Sequence, residues 1–307
     1  MGPILFILYI NDIISTSKLL NFYIFADDTT LLNVNKNLND LINTTNKELE
    51  TIDDWLAANK LSLNLSKTKF LFFSPRGKHN KKQNLNPDIF IRNTPIKQVS
   101  HSDFLGLTLD DNLDWAEHIN KVKLKISRIL GILYKIRHKL NKSSLLSVYY
   151  ALIQSRLTYC LKLWGSADKT KINPLQVIQN RFVRLLHNKH KQTHAPPLFK
   201  QSKILNVSDL YKLDVIKFVW CCINRPSNFP KLLFNDDFKF NTDVHTHFTR
   251  QRTDIHPPKI RTNFGKRSLN NQGRICWNDL SAKIKSSKSI SNLKTNFIFH
   301  CHNNEYI

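Results

Sequence analysis

The chain has 307 residues, of which 41% are apolar and 10% aromatic, enough for a real core and, at about 150 residues per domain, for about two domains; wholesale disorder is excluded. Lys and Arg number 46 against 23 Asp and Glu, a formal net charge of +23 that points to a polyanionic partner. Five scattered cysteines, an odd number, exclude a secreted disulfide framework and fit reduced thiols inside the cell.

The charge is uneven. Residues 1–114 hold 12 basic and 13 acidic side chains, residues 115–225 hold 21 and 4, and residues 226–307 hold 13 and 6. A near-neutral front that keeps its carboxylates, followed by a basic middle, is the arrangement expected if chemistry sits in the first part and a polyanion is gripped by the second. A lysine-rich solvated surface is the plain alternative.

In chain order, the apolar run Ile4-Leu5-Phe6-Ile7-Leu8-Tyr9-Ile10 lacks a basic flank and is ended by Asn11-Asp12. It is far shorter than the about 20 residues of a membrane span, so it reads as a buried segment and no membrane partner is expected. Residues 21–26 and 29–34 are rich in aromatic, β-branched and Leu residues and flank Asp27-Asp28, which predicts a β-hairpin with the carboxylates at its tip. Residues 38–55 have helical spacing, ended by Asn59-Lys60; residues 61–65 alternate, and residues 70–73 form a compact strand pattern stopped by Ser74-Pro75-Arg76-Gly77. A basic loop over residues 78–82 precedes strand patterns at 89–91 and 104–109.

From Trp115 the period turns helical: Ile119, Val122, Ile126, Leu130, Leu133 and Ile136 make one stripe, with Lys121, Lys125, Arg128, Lys135 and Lys139 largely off it. Ser143-Ser144 is placed to cap a second helix over residues 145–159, and Asn173-Pro174 to open a third that runs to about residue 187. Helices are also expected over residues 207–222 and 290–300, with Pro, Asn and His frequent between them. No internal repeat is present.

Phe25-Ala26-Asp27-Asp28 is the sharpest local feature. Adjacent carboxylates on a tight turn offer hard oxygen ligands to Mg²⁺, although Asp pairs also occur in turns for backbone reasons alone. The surroundings add to it. Pro3-Ile4-Leu5-Phe6 through Asn11-Asp12, Phe25-Ala26-Asp27-Asp28-Thr29, Trp55-Leu56 with Asn59-Lys60-Leu61, Leu63-Asn64-Leu65-Ser66-Lys67-Thr68-Lys69, and Phe104-Leu105-Gly106 follow one another. In order and spacing they resemble the reverse transcriptase of LINE-type (non-LTR) retrotransposons. More diffusely, Leu163-Trp164-Gly165-Ser166, Gln179-Asn180-Arg181-Phe182 and Ile275-Cys276-Trp277-Asn278 look like the tail of the Jockey-like group.

The resemblance implies an α+β chain: a partial polymerase palm (β-hairpin plus helix) over residues 1–114, an α-helical thumb over 115–190 and a mixed, mostly helical tail over 191–307. It implies an RNA-directed DNA polymerase working by two-metal nucleotidyl transfer with Mg²⁺. An RNA template, a DNA primer and deoxynucleoside triphosphates would be its partners, and the nucleus its place. Asp27 and Asp28 would be catalytic metal ligands, Asp27 the more direct. Lys67 would protonate departing pyrophosphate or steady the triphosphate; as an ordinary loop lysine it would do neither. Phe104-Leu105-Gly106 would be the primer grip, and Lys121, Lys125, Arg128 and Lys135 would contact heteroduplex phosphates.

Cys221-Cys222, Cys276, His300-Cys301-His302 and His245-Thr246-His247 do not reproduce a zinc-ligand spacing, and no zinc is assigned. His187, His190 and His194 on the basic tract read as polyanion contacts or surface residues. The family's polymerase also has an earlier palm Asp, a Gly-rich segment and fingers, none of which is expected in a chain beginning at Met1-Gly2. The expectation is a rear portion, inactive alone, with an exposed apolar face at Ile4 to Ile10 and the hairpin that favours poor solubility or oligomerisation. A non-catalytic nucleic-acid-binding remnant is the alternative.

Overall fold

The computed structural model describes residues 2–73, 88–228, 238–244 and 252–303. The basic loop expected at 78–82, the strand stop at 74–77 and the His245-Thr246-His247 cluster lie outside these. Two units separate: Met1–Phe104 with Leu109–Leu113, and Leu105–Thr108 with Asp114–Ile307.

The first unit mixes helix and strand. Helix α1 (Gly2–Ile10) runs into a 3-10 segment, Asn11–Thr16. Strands β1 (Asn21–Phe25) and β2 (Asp28–Leu32) form the expected antiparallel hairpin. Helix α2 (Leu38–Ala58) follows, its N-cap Asn37 accepting from the Asn39 N–H at 3.0 Å. The apolar face of α2 serves two small clusters. Ile52 and Leu56 pack with Ile10, Ile13 and Leu20, while Leu49 packs with Ile89 and Ile91.

The remaining strands are short. β3 (Lys69–Phe70) pairs in parallel with β6 (Lys97–Gln98), and β4 (Phe90–Ile91) pairs with β5 (Thr94–Pro95). The β4–β5 turn uses Arg92 and Asn93 at positive φ, and Arg92 Nε donates to Asp53 Oδ2 of α2 at 2.6 Å. Strands β7 (His101–Phe104) and β8 (Leu107–Asp110) complete the set.

Three expectations are corrected here. The run at 4–10 is not buried: Ile4 and Leu8 are 68% and 69% exposed. Apolar residues surround α1 on all sides, and the small cluster beside it receives only Phe6 and Ile10. Residues 61–65 form no strand, because no partner strand reaches them; the Leu65 N–H instead closes back on the Leu63 carbonyl at 3.1 Å. Of the strand pattern at 70–73 only Phe70, together with Lys69, is in β3.

The second unit is helical and has one core, shared by residues 115–190 and those after them. Helix α3 (Ala116–Ile136) buries Ile119, Val122, Ile126, Leu130 and Leu133, the expected stripe. The segment read as one helix over 145–159 is composite: α4 (Lys142–Val148), a π-helical stretch Tyr149–Gln154, and α5 (Ser155–Thr158). Its cap is Asn141, whose side chain accepts from the Ser144 N–H at 2.8 Å, and not Ser143-Ser144. A π-bulge carries one extra residue per turn, and this one seats Tyr149 wholly inside, stacked on Phe182 at 4.6 Å.

After α6 (Leu161–Trp164), helix α7 (Lys169–Leu186) begins ahead of the expected Asn173-Pro174 start, and Pro174 lies inside it. The Asp168 carbonyl accepts from the Lys171 and Ile172 N–H groups and fixes the earlier start. Helices α8 (Pro196–Ser202) and α9 (Val207–Asn224) follow. Asn206 caps α9 reciprocally: its Oδ1 accepts from the Asp209 N–H and its Nδ2 donates to Asp209 Oδ2, each at 2.8 Å. Then come a helical turn Asn241–Val244, α10 (Asn263–Arg267), α11 (Leu269–Asn278), α12 (Ala282–Lys285) and α13 (Ile290–Asn303).

Two glycines of this unit predict opposite outcomes. A Cβ on Gly165 would overlap the Tyr211 ring and lie 2.7 Å from the Leu161 carbonyl oxygen, whereas one on Gly131, exposed in α3, would meet nothing within 4 Å. Urea denaturation should find Gly165→Ala destabilised by about 1–3 kcal/mol. The same measurement should find Gly131→Ala stabilised by up to about 1 kcal/mol.

Candidate functional site

The register of β1 and β2 pairs Phe25 with Asp28, leaving Ala26 and Asp27 as a two-residue turn. Ala26 has φ 53° and is the only one of the two at positive φ, the requirement of a type II′ turn, which glycine usually meets. An L-residue there costs about 1–2 kcal/mol. Strand alternation sends Phe22 and Ile24, with Leu31, onto the α1–α2 cluster and leaves Tyr23 and Phe25 outward. Asp27 closes the turn and Asp28 opens β2. Both are exposed, and neither carboxylate has a hydrogen bond or ion pair among the described residues.

Two such carboxylates are hard oxygen donors of the kind Mg²⁺ takes alongside substrate phosphates. No group of three or more His, Cys, Asp or Glu able to hold a metal occurs among the described residues. The pair therefore fits one ion completed by phosphates and does not by itself fit two.

Lys67 lies exposed in the same unit, on a turn built by Asn64. The Asn64 carbonyl accepts from the Lys67 and Thr68 N–H groups at 3.1 and 3.0 Å, and its Oδ1 accepts from the Ser66 hydroxyl at 2.7 Å. Asn64 is thus the residue that shapes this loop, a role visible in hindsight from the Asx-turn preference of Asn-x-Ser-Lys.

Phe104, Leu105 and Gly106 do not continue as one strand. Leu105 and Gly106 have φ 47° and 81° and break the pattern at 104–109 into β7 and β8. The Tyr159 hydroxyl donates to the Leu105 carbonyl at 2.5 Å, and a Cβ on Gly106 would lie 3.4 Å from the Tyr159 ring. Next to this turn, the Thr108 N–H donates to Nδ1 of His118, a buried ring that sits 5.5 Å from Trp164 and 6.4 Å from Trp115. Sequence reading passed over Tyr159 and His118. The Trp115-x-x-His118 spacing at the start of α3 was the available signal.

On α3, Lys125, Arg128 and Lys135 are exposed and Lys121 half-buried. Leu124 and Ile132, 56% and 58% exposed, alternate with them. Over residues 118–208 there are 18 Lys and Arg and a single acid, Asp168, which is ion-paired with Arg267. Asp27, Asp28 and Lys67 therefore belong to one unit, and Leu105, Gly106 and the α3 lysines to the other.

The five cysteines are free thiols. Burial pushes the Cys276 thiol up to about 11 and the Cys301 thiol up to about 12. Among the described residues no helix is long and apolar enough to cross a membrane.

Residues 1–109 match the family model "Reverse transcriptase (RNA-dependent DNA polymerase)". The chain is similar to a probable RNA-directed DNA polymerase from transposon X-element of Drosophila melanogaster, 23% identical over 68% of this chain and 23% of the relative. It is also similar to the RNA-directed DNA polymerase from mobile element jockey of the same fly, 20% identical over 76% of this chain and 25% of the relative. A third relative, a probable RNA-directed DNA polymerase from transposon BS, is 27% identical over 53% of this chain and 18% of its own length. The chain thus spans a quarter or less of the curated relatives it matches. No solved structure matches it. Residues 1–109 are thus similar to the reverse transcriptase family, and half to three quarters of the chain is similar to RNA-directed DNA polymerases of mobile elements.

Proposed function

We propose that the chain supplies part of the palm, together with the thumb, of an RNA-directed DNA polymerase that copies a non-LTR element. The observation that carries this is the hairpin tip: two exposed, unpaired carboxylates, Asp27 and Asp28, within the residues that match the reverse transcriptase family. Asp27 and Asp28 would hold Mg²⁺ there. When bound, it supplies neutralisation of the triphosphate and activation of the attacking hydroxyl.

The chain's own residues then divide the work. Phe25, 63% exposed beside the carboxylates, offers an apolar platform near the growing end. Lys67 steadies the triphosphate or donates a proton to departing pyrophosphate. The Phe104-Leu105-Gly106 turn, held by Tyr159, presents backbone to the primer, where a side chain at position 106 would intrude. Lys121, Lys125, Arg128 and Lys135 contact phosphates of the RNA·DNA duplex without reading its bases.

Asp27 and Asp28 need a further carboxylate to hold two ions, so the described residues on their own are expected to lack polymerase activity. That donor set, beside a strongly basic second unit, also favours a second reading, a nucleic-acid-binding protein without catalysis.

Three measurements test these statements. Mn²⁺, used as a paramagnetic probe for Mg²⁺, should broaden amide resonances around residues 26–29 in the parent and leave them sharp in Asp27→Asn/Asp28→Asn; equal broadening in both would sink the metal assignment. Primer extension on an RNA template with Mg²⁺ should give no product from this chain, and extension abolished by Asp27→Asn would overturn the expected inactivity. Affinity for an RNA·DNA hybrid should fall steeply with salt, by about one log unit of affinity per log unit of salt for each phosphate contact. Lys121→Gln/Lys125→Gln/Arg128→Gln should make that slope shallower by about three.

A further inference from the structure

Helices α3 and α7 start together, where Lys171 Nζ sits 2.7 Å from Asp114 Oδ2. They run in the same direction, since the Tyr134 hydroxyl near the end of α3 reaches the Arg181 carbonyl of α7 at 3.5 Å. Their C-terminal ends therefore lie at one end of the second unit. The segments leaving those ends carry exposed Lys139 and Lys142 after α3, and exposed Lys189 and Lys191 after α7.

The two segments meet at His187. Its ring is held below the usual histidine range by burial first and then by the positive charges of Lys142 and Lys189. His187 Nε2 is 2.6 Å from the Ser202 hydroxyl, whose own proton goes to the Leu198 carbonyl. The loop after α7 is built rather than loose: the Lys189 N–H donates to the Arg184 carbonyl at 2.8 Å, and Arg184 Nε donates to the Thr193 carbonyl at 2.7 Å. Its lysines are thus presented from a fixed frame.

The ends of two helices account for some positive charge here, at about 0.3–1 kcal/mol each. They do not account for 18 bases against one acid over residues 118–208. Like charges gathered at one end repel one another, and a polyanion relieves that cost.

We propose that Lys139, Lys142, Lys189 and Lys191 form a second phosphate-contacting surface, which carries the nucleic acid onward past the C-terminal end of α3. This rests on the nucleic-acid reading of the second unit and adds a site to it. The contact is with backbone phosphates, so it lengthens the footprint without adding base preference.

The test compares the full chain with Lys139→Gln/Lys142→Gln/Lys189→Gln/Lys191→Gln and with the α3 triple variant. The probe is a labelled RNA·DNA hybrid of about 20 base pairs, titrated from about 50 to about 200 mM salt. The quadruple variant should lose at least about tenfold in affinity at the low end, with a slope shallower by about four, and its Lys→Arg counterpart should recover both. A second readout is His187 followed by NMR. Phosphates on Lys142 and Lys189 offset the charges that hold its pKa down, so saturating hybrid should raise that pKa in the parent. A quadruple variant that keeps parent affinity and slope while the α3 variant loses them would overturn the second surface and leave the α3 assignment standing. A hybrid that binds with full salt dependence but leaves His187 unmoved would overturn it too. Weak, salt-independent binding by the parent would overturn both.

Discussion

A helix buried around most of its circumference depends on the helices that enclose it. In this chain that helix is α9, where Leu210, Leu213, Val215, Ile216, Phe218, Val219 and Trp220 are all buried and only Ser208, Lys212 and Asn224 are exposed. Helices α5, α6, α7, α11 and α13 all pack on it. The few polar groups at its surface are spent on fixing those neighbours. Asp214 accepts from the Lys162 N–H at 3.1 Å, the Val207 N–H donates to Gln176 at 2.9 Å, and Trp220 Nε1 donates to the Ser287 carbonyl at 3.0 Å. Once the apolar faces of the surrounding helices are turned toward α9 and toward one another, their lysines have only the outside left. The basic surfaces of the second unit are the complement of its core.

The first unit has no such hub. Its hairpin is an isolated pair of strands, marginal in water without a packed face, and rests on a small cluster through Phe22, Ile24 and Leu31. Much of the apolar surface of α1 and the outer face of β1 face solvent, as Ile4, Leu8, Tyr23 and Phe25 show. The carboxylates therefore sit on the less buttressed part of the chain, and the turn that aims them holds Ala26 in a conformation L-residues avoid. Strain of that kind persists only where the surroundings over-determine the backbone, and it recurs at functional sites.

What could be read from sequence follows from how local each determinant is. The hairpin at 21–32 and the helix at 116–136 announced themselves because period and turn residues lie within a few positions of one another. The start of α7 did not, since Asn173-Pro174 is a good local start signal and the competing determinant is the Asp168 carbonyl, backed by an Asp114–Lys171 ion pair 57 residues apart. The alternation at 61–65 looked like a strand because Leu63 and Leu65 do pack inward, but pairing depends on a partner that the pattern itself cannot reveal. The carboxylate pair was legible from its motif. Tyr159 and His118, in the second unit, were not, because their roles depend on reaching the 105–108 turn from elsewhere in the chain. For α1 the two expectations pulled apart: composition marks the run as apolar and hence buried, whereas the resemblance implied a face left open at Ile4 to Ile10 and the hairpin, and the exposed Ile4 and Leu8 agree with the second.

The imbalance of bases over acids in residues 118–208 bears on folding as well as on recognition. Enclosing α9 brings many uncompensated positive charges onto a small surface, so part of the free energy gained by burial is lost to their mutual repulsion. Mobile anions screen that repulsion between charges more than about 10 Å apart at 0.1 M salt, and ions released from the nucleic acid set its own salt dependence. Folding and binding of the second unit are thus opposed in their response to ionic strength. A ligand that binds only the folded state stabilises it in proportion to RT times the logarithm of its occupancy term. At low salt, then, the polyanion is what the helical unit lacks: a counter-ion of fixed shape, whose departure lowers the stability of the surface that held it.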